Sequence, residues 1–250
     1  MKIGGIDIGS RYIKYVLLDD RRLVDFQRRE TGYNPMSVCG ELLEVGMPEK
    51  LVATGYGRYL LEVYENTKTI TEIKAVARGA KAVFPNARTI IDIGGQDTKV
   101  ISLNDRGDVT HFEMNDRCAA GTGKFLEIMA KTLGYDLDIF GQHCRNKNTG
   151  IKINSLCTVF AESEVISLIT KGVEREEIAH SLHDSIVSRV MSLLKRIEIR
   201  DDVIFTGGCA TNLCLKRMFE ELLQRKVSVH ENPYLQAAHG AALYAMDSEL

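Results

Sequence analysis

The stretch that decides the fold is KIGGIDIGSRYIKYVLLD, residues 2–19. It begins with an apolar run that predicts a strand, and the polar pair Gly9-Ser10 predicts a tight turn after it. A second apolar run at residues 13–18 predicts a returning strand, so the unit is a β-hairpin. Asp7 stands just before the turn, which places a carboxylate beside a flexible glycine loop.

The same pattern returns far along the chain as TIIDIGGQDTKVISL, residues 89–103. Asp92 takes the place of Asp7, Gly94-Gly95 begin the turn, and an early lysine again starts the second strand. A repeated unit of this kind indicates internal duplication, and duplication predicts two similar halves that face each other. Because helical patterns alternate with the strands, the predicted fold class is α/β. The predicted helices between these elements cover residues 72–84, 124–133, 161–171 and 176–197.

The duplicated hairpin suits a particular chemistry. A glycine turn lets backbone N–H groups approach phosphate oxygens, since no Cβ stands in the way. A carboxylate at the end of the strand can hold Mg²⁺ through water and so offset the phosphate charge. One copy is as consistent with an ordinary hairpin as with a nucleotide site. Two copies with the acid in register favour a polyphosphate gripped from both sides.

A third glycine element is DVIFTGG, residues 202–208, which predicts a strand ending in the turn Gly207-Gly208. An amphipathic helix is predicted after it, over residues 212–224. Such an arrangement can set backbone against a base or ribose and present a helix N-terminus to an anion.

Composition excludes several classes of protein. The 250 residues include 32 Lys and Arg against 34 Asp and Glu, a formal charge of −2, which argues against a nucleic-acid binder. The longest stretch without these charged residues, 232–246, is too short to cross a membrane. The first residues do not fit a signal peptide, because a charge interrupts their short apolar run. We therefore expect a cytoplasmic protein without a membrane partner.

The six cysteines, at positions 39, 118, 144, 157, 209 and 214, contain no C-x-x-C pair. In the cytoplasm they are expected to be reduced. We interpret Cys39, Cys144 and Cys214 as ordinary thiols, and Cys209 as a residue that lines the pocket beside the Gly-Gly turn. The histidines form no evident metal set, and we expect His180 and His183 to share a solvated helix face.

Three short motifs resemble the phosphate-one, phosphate-two and adenosine motifs of the actin, hexokinase and sugar-kinase superfamily. They are IDIGS with the following Lys14, residues 6–14, then DIGGQD, residues 92–97, and TGG, residues 206–208. Three longer strings narrow the resemblance: ATGYGR (53–58), MNDRCAAGTGKFL (114–126) and CTVFAESEVIS (157–167). Together they are similar to the activator, component A, of 2-hydroxyacyl-CoA dehydratases, whose wider family includes the ATPase subunits of benzoyl-CoA reductase.

The resemblance implies an actin/hexokinase-like, duplicated two-domain fold with a nucleotide cleft between the domains. The first ATPase domain is expected to comprise residues 1–88 plus 235–250, and the second residues 89–234. Asp7, Asp92 and Gln96 are the expected catalytic residues, Gln96 because glutamine orients the attacking water in other phosphoryl-transfer sites. The expected nucleotide-binding residues are Gly9, Ser10, Lys14, Gly94, Gly95, Gly121, Thr122, Gly123, Gly207 and Gly208.

The resemblance also implies an iron–sulfur centre. In that family one cysteine from each of the two longest strings, here Cys118 and Cys157, ligates a 4Fe–4S cluster. Two thiolates per chain cannot fill a four-thiolate site, so one cluster would bridge a homodimer. Both cysteines precede a predicted helix, whose N-terminus favours thiolate and a negatively charged cluster. From the residues alone, buried structural thiols would be the simpler interpretation.

The leading hypothesis is therefore an ATPase, with ATP and Mg²⁺, that takes an electron from ferredoxin or flavodoxin. It would pass the electron to an iron–sulfur enzyme such as a 2-hydroxyacyl-CoA dehydratase, in anaerobic metabolism. Alternative partners are a double-cubane-cluster protein or a benzoyl-CoA-type reductase. Hypotheses of other classes are a sugar-kinase-type small-molecule kinase and a non-catalytic nucleotide-binding regulator. The chain departs from the family at Arg11-Tyr12, where the first turn usually has Thr, and at Ala75-Val76, where Cys-His is frequent.

Overall fold

The computed structural model describes residues 1–63, 67–115, 121–144, 150–153 and 157–247. The strands are β1 (Lys2–Ile8), β2 (Tyr12–Asp19), β3 (Arg22–Glu30), β4 (Lys50–Thr54), β5 (Thr67–Thr69), β6 (Thr89–Ile93), β7 (Thr98–Leu103), β8 (Val109–Met114), β9 (Val203–Thr206) and β10 (Val227–Ser228). The helices are α1 (Pro35–Gly46), α2 (Glu72–Val83), α3 (Gly123–Thr132), α4 (Leu137–Phe140), α5 (Thr158–Thr170), α6 (Arg175–Leu194), α7 (Leu213–Leu223) and α8 (Gln236–Asp247).

The strands form two five-stranded sheets with the same topology. The first has the order β3-β2-β1-β4-β5 and the second the order β8-β7-β6-β9-β10. In each sheet an antiparallel hairpin, β1–β2 or β6–β7, carries a third antiparallel strand on one side and parallel strands on the other. The predicted duplication is confirmed, and both predicted hairpins are present.

The two hairpins also share their register. Asp7 on β1 is paired with Lys14 on β2, and Asp92 on β6 is paired with Lys99 on β7. Each acid therefore faces a lysine of the neighbouring strand at the same distance from its turn. Lys99 is thus the structural equivalent of Lys14.

Two central helices lie between the sheets. Ala238, Ala241 and Ala242 of α8 pack on the first sheet, whereas Val76 and Ala80 of α2 pack on the second. α2 and α8 in turn pack on each other, so their crossing is the place where the two halves meet.

The crossing depends on glycine. A Cβ added at Gly79 of α2 would collide with the carbonyl oxygen of Gln236, and one added at Gly240 of α8 would collide with that of Ala75. The two helix backbones therefore lie in direct contact, which a side chain at either position would prevent.

The other helices complete the second half. Side chains of α3, α6 and α7 meet those of β6 and β9 in one apolar core, in which Phe125, Phe205 and Phe219 are fully buried. α7 begins where Asn212 caps it, since the Asn212 Oδ1 accepts from the backbone N–H of Leu215 at 3.1 Å. Across the described part of the chain, every helix is too short or too polar to span a lipid bilayer.

Candidate nucleotide site and cysteine centre

The two glycine-turn hairpins open onto one cleft of about 940 Å³. Residues of both halves line it, together with the turn that follows β9. Of the residues expected to bind nucleotide or act in catalysis, eleven line this cleft: Asp7, Gly9, Ser10, Lys14, Asp92, Gly94, Gly95, Gln96, Gly123, Gly207 and Gly208. Gly121 and Thr122 lie just outside the cleft lining, immediately before α3. The Thr98 hydroxyl donates to the Gly121 carbonyl at 2.7 Å and so ties this segment to β7.

Asp7 is held from one side only. The Lys14 ammonium donates to Asp7 Oδ2 at 2.8 Å. The other carboxylate oxygen, Oδ1, is buried and has no hydrogen-bond partner among the described residues. A buried, unpartnered carboxylate oxygen beside a cleft is costly unless something polar meets it. The position suits a hydrated divalent cation, which carboxylate oxygens bind directly or through water.

Asp92 is held more firmly. The Thr206 hydroxyl donates to its Oδ1 at 2.8 Å, and the Lys99 ammonium lies 3.7 Å from its Oδ2. Lys99 is only 3% exposed. Burial alone lowers the pKa of Lys99, but the carboxylates of Asp92, Glu72 and Asp97 outweigh burial and raise it. Lys99 therefore keeps its positive charge in the interior.

Glu72, at the start of α2, is a cleft residue that sequence reasoning missed. Its Oε1 accepts from the Lys99 ammonium at 2.9 Å, which joins α2 to the second sheet. Burial raises the pKa of Glu72, and the charges of Asp7 and Asp92 raise it further against the opposing effect of Lys99. No motif marked Glu72, but Lys99 could have been found, because it repeats the position of Lys14 in the duplicated unit.

The second phosphate loop is bonded directly to α3. The backbone N–H of Gly123 donates to the Gly94 carbonyl at 2.9 Å, and that of Lys124 donates to the Gly95 carbonyl at 2.9 Å. The first loop also reaches this helix, since the Arg11 guanidinium lies 3.4 Å from Glu127. Both loops therefore contact α3, the helix that begins within the cysteine string at residues 114–126.

At the other end of the cleft stand Gly207-Gly208 and their neighbours. Cys209 follows them, lines the cleft as expected, and has its Sγ 3.9 Å from the Gly94 carbonyl oxygen. Burial, followed by the charge of Asp92, raises the pKa of this thiol to about 12. Cys209 is therefore a neutral thiol in these surroundings.

Of the two expected cluster ligands, Cys157 is exposed and lies at the N-terminus of α5, a helix that begins three residues before its predicted start. Cys118 lies outside the residues that the structure describes. α5 also exposes large apolar side chains to solvent, among them Val159 at 67% and Phe160 at 68%. A free thiol thus stands beside an uncovered apolar helix face.

Two expectations about side chains are wrong. Cys144 and Cys214 are not separate thiols but are joined by a disulfide bond. They are 70 residues apart, and only the folding of the segment after α4 over the start of α7 brings them together. His183 does not lie on a solvated face but is fully buried, since it follows Ala179 by one helical turn on the apolar stripe of α6. Cys39, by contrast, is a buried thiol as expected, and burial raises its pKa to about 11.

Known proteins share the sequence pattern and the fold of this chain. Residues 5–245 match the model of the BadF/BadG/BcrA/BcrD ATPase family. The chain is 40% identical to the 2-hydroxyisocaproyl-CoA dehydratase activator of Clostridioides difficile, over 97% of this chain and 94% of the relative. It is 42% identical to the activator of lactoyl-CoA dehydratase of Anaerotignum propionicum, over 98% and 97%. A benzoyl-CoA reductase subunit of Thauera aromatica is 32% identical, over 96% and 91%.

Solved structures agree. The activator of the 2-hydroxyisocaproyl-CoA dehydratase from Clostridium difficile with bound ADPNP superposes with a TM-score of 0.90, at 40% identity, and covers 99% of this chain and 95% of that one. Ethanolamine utilization protein EutJ from Carboxydothermus hydrogenoformans, at 15% identity and a TM-score of 0.65 over 98% and 90% of the two chains, shares the fold. The predicted actin/hexokinase-like class is confirmed. As its phosphate loops and cysteine strings predicted, the chain belongs to the BadF/BadG/BcrA/BcrD ATPase family.

Proposed function

We propose that this protein is a cytoplasmic, homodimeric activator that uses ATP to drive a low-potential electron into a partner iron–sulfur enzyme. The partner class that fits best is a 2-hydroxyacyl-CoA dehydratase, because the relatives with 40% and 42% identity are named as activators of such enzymes. The observation that carries the proposal is the pair of backbone hydrogen bonds from Gly123 and Lys124 to the second phosphate loop. Through them, a change at the phosphates reaches the helix that follows Cys118.

The nucleotide would lie between two ATPase domains, residues 1–88 plus 235–250 and residues 89–234. The packing of α8 on the first sheet supports the return of the C-terminal segment to the first domain. α2 would stand at the boundary, since it packs against α8 and against the second sheet. We place the phosphates between the turns at Gly9-Ser10 and Gly94-Gly95, and the adenosine beside Gly207-Gly208.

The acids of the cleft fit Mg²⁺ and hydrolysis. Asp7 Oδ1 is the buried oxygen without a partner, so it is the natural contact for a hydrated cation. Asp92 would support the same ion from the opposite hairpin, while Lys14 offsets phosphate charge. Gln96 lines the cleft and would orient the attacking water.

The cysteines fit a shared cluster. Cys157 is exposed at the N-terminus of α5, where the positive end of the helix dipole suits a negatively charged cluster. Together with Cys118 it would supply two of four thiolates, and a second copy of the chain would supply the other two. When bound, a 4Fe–4S cluster supplies one-electron chemistry, with ferredoxin or flavodoxin as donor. The uncovered apolar side chains of α5 support this contact between copies, since they would be buried in it.

Other assignments have weaker support. The reductase-type relative is 32% identical, against 40% and 42% for the two dehydratase activators, so a benzoyl-CoA-type reductase is the second choice of partner. A double-cubane-cluster partner has no observation of its own. A sugar-kinase-type enzyme would leave the exposed Cys157 and the apolar face of α5 without a role.

The test is the iron content of protein purified without oxygen. We expect about four irons per dimer, since each chain brings two of the four thiolates. Cys118→Ser and Cys157→Ser should each lose the iron, whereas the matched variant Cys39→Ser should keep it. ADP binding should survive in all three, because the phosphate loops are separate in sequence from these cysteines. Full iron retention by the Cys157 variant would overturn the cluster assignment and leave an ATPase of another kind.

A further inference from the structure

The bonded pair Cys144 and Cys214 has no part in the proposed function. Their Cα atoms are 6.0 Å apart, a separation that disulfides require, and their side chains are 3% and 1% exposed. One sulfur belongs to the segment after α4 and the other to the first turn of α7. The bond therefore joins two segments that the sequence separates by 70 residues.

A cation and a helix N-terminus lie beside the pair. The Arg217 guanidinium donates to the Cys144 carbonyl at 2.9 Å and lies 3.9 Å from the Cys144 sulfur. Cys214 is the second residue of α7, so its sulfur feels the positive end of the helix dipole. A cation and a helix N-terminus both promote the thiolate that exchanges with disulfides.

A metal site is the other use for these sulfurs, because His183 has a ring nitrogen within 4.8 Å of both. That histidine is already engaged. Its Nδ1 lies 2.7 Å from the Ala179 carbonyl oxygen, and its Nε2 accepts from the Asn212 side-chain amide at 2.9 Å. Burial lowers the pKa of His183 to about 4, so the ring is neutral. A metal ion would have to break the bond to Asn212 and tolerate the Arg217 charge, so a pair of exchanging thiols fits better.

The bond also fixes one wall of the nucleotide cleft. Gly141 and Asn212 both line the cleft, and they pack so closely that a Cβ on Gly141 would lie 2.5 Å from Asn212 Oδ1. Cys144 follows Gly141 by three residues, and Cys214 follows Asn212 by two. The disulfide therefore holds together the two segments that meet beside the adenosine end.

We propose that Cys144 and Cys214 are a reversible redox modification site that sets the affinity of the cleft for nucleotide. In the disulfide form the wall is held in place before the nucleotide arrives, so nucleotide binds more tightly. In the dithiol form the two segments part more easily and the affinity falls. This inference rests on the nucleotide cleft alone and is independent of the cluster and of the partner enzyme.

The exchange balances with a low-molecular-weight disulfide as oxidant. Once the two segments part and expose Cys214, its thiolate attacks one sulfur of that disulfide and releases one external thiolate, which takes up a proton. The Cys144 thiolate then attacks the Cys214 sulfur of the mixed disulfide and releases the second external thiol. Two electrons pass from the protein dithiol to the external disulfide, which leaves as two thiols. Excess external thiol reverses both steps.

The test uses the whole protein under argon, equilibrated in glutathione buffers from fully reduced to strongly oxidised. Free thiols are alkylated, and peptide mass spectrometry locates the bond while a fluorescent ADP analogue reports the dissociation constant. We expect the 144–214 disulfide to form in oxidised buffer and the affinity to rise about fivefold as it forms, through preorganisation of the wall. Cys144→Ser and Cys214→Ser should stay at the reduced affinity at every ratio, whereas Cys39→Ser should follow the wild type.

Three outcomes would overturn the inference. One is free thiols at both positions at every glutathione ratio in the wild-type protein. Another is an affinity that stays constant while the disulfide forms. The third is zinc or additional iron, in a one-to-one ratio with the chain, that Cys214→Ser loses, which would make the pair part of a metal site. Because all readouts are thiol state, metal content and ADP affinity, failure here leaves the electron-transfer proposal untouched.

Discussion

Asp7 and Asp92 occupy equivalent positions in the duplicated hairpins but have different surroundings. One oxygen of Asp7 has no partner among the described residues, whereas Asp92 accepts from the Thr206 hydroxyl at 2.8 Å. The repeat in the sequence was enough to predict both acids as a pair. It could not predict the difference, because Thr206 comes from a strand 114 residues away. Asp7 is therefore the acid that is more available to a cation.

The first prediction concerns Asp7→Asn, which keeps the size of the side chain and removes its charge. We expect the rate of ATP hydrolysis to fall by about 10²–10³-fold, the usual cost of losing one electrostatic group at a phosphoryl-transfer site. Steady-state phosphate release at saturating Mg²⁺ measures it. Asp20→Asn, in an exposed turn, is the control and should match the wild type. A wild-type rate in the Asp7 variant would remove this carboxylate from the metal site.

The second prediction concerns the pH dependence of stability at Glu72. Its pKa is raised above the ordinary value of 4.5, chiefly by burial, so the folded state binds this proton more tightly than the unfolded state. The stability that Glu72 contributes is therefore present at low pH and lost as the pH rises. Relative to wild type, Glu72→Gln should become progressively more stable as the pH rises above 4.5. Urea unfolding at several pH values measures this difference, and a difference that moves the other way would contradict the burial effect.

At the scale of elements, α3 could be predicted from the sequence as a helix, but its contacts could not. The periodicity predicted a helix from residue 124, and α3 begins at Gly123. What the pattern could not show is that the first two residues of the helix donate backbone hydrogen bonds to the second phosphate loop. Backbone donors have no side-chain signature, so only the folded chain reveals this contact.

The third prediction tests that contact with Gly123→Ala. An added Cβ would lie 3.0 Å from the Gly94 carbonyl oxygen and 3.2 Å from the Cys209 sulfur, closer than side chains normally pack. We expect α3 to move away from the loop, so that partner activation falls by more than the rate of ATP hydrolysis. Both rates are measured in the reconstituted system. Gly40→Ala, where a Cβ meets open space, is the matched control. Equal losses in the two rates would argue against a coupling role for the contact.

At the scale of the whole molecule, the duplicated topology could be predicted from the sequence, but the contacts between the two halves could not. The repeated hairpins predicted two related sheets because each is a local pattern. The bridge from Glu72 to Lys99, and the approach of Arg11 to Glu127 at 3.4 Å, depend on how the halves are placed. Local periodicity does not encode that placement, so neither contact was predicted.

The fourth prediction concerns Lys99, whose ammonium group links the second sheet to α2 through Glu72. Lys99→Met would leave the buried carboxylate of Asp92 and the partly exposed carboxylate of Glu72 without their cation, and we expect a loss of about 3 kcal/mol in the free energy of unfolding. Lys14→Met, its structural equivalent, should cost less, because the Lys14 side chain is 18% exposed and water can compensate. Urea unfolding of both variants measures the contrast. Equal losses would mean that Lys99 does not bridge the halves.

The fifth prediction concerns assembly. Phe160→Asp places a charge on the apolar face of α5, which we expect to shift the homodimer to monomer and to lower the iron content with it. Native mass spectrometry under argon measures both. Leu222→Asp, on the exposed side of α7, is the matched control and should remain dimeric with its iron. A dimer that survives Phe160→Asp with its iron would place the contact elsewhere.

The crossing of α2 and α8 has a mechanical consequence. Gly79 and Gly240 bring the two backbones together with no side chain between them. Small side chains of both helices, among them Ala75 and Ala241, pack around this point. The helices cannot slide closer, because the backbones already touch. A side chain at either glycine would therefore push α2 and α8 apart, and with them the two halves that line the cleft.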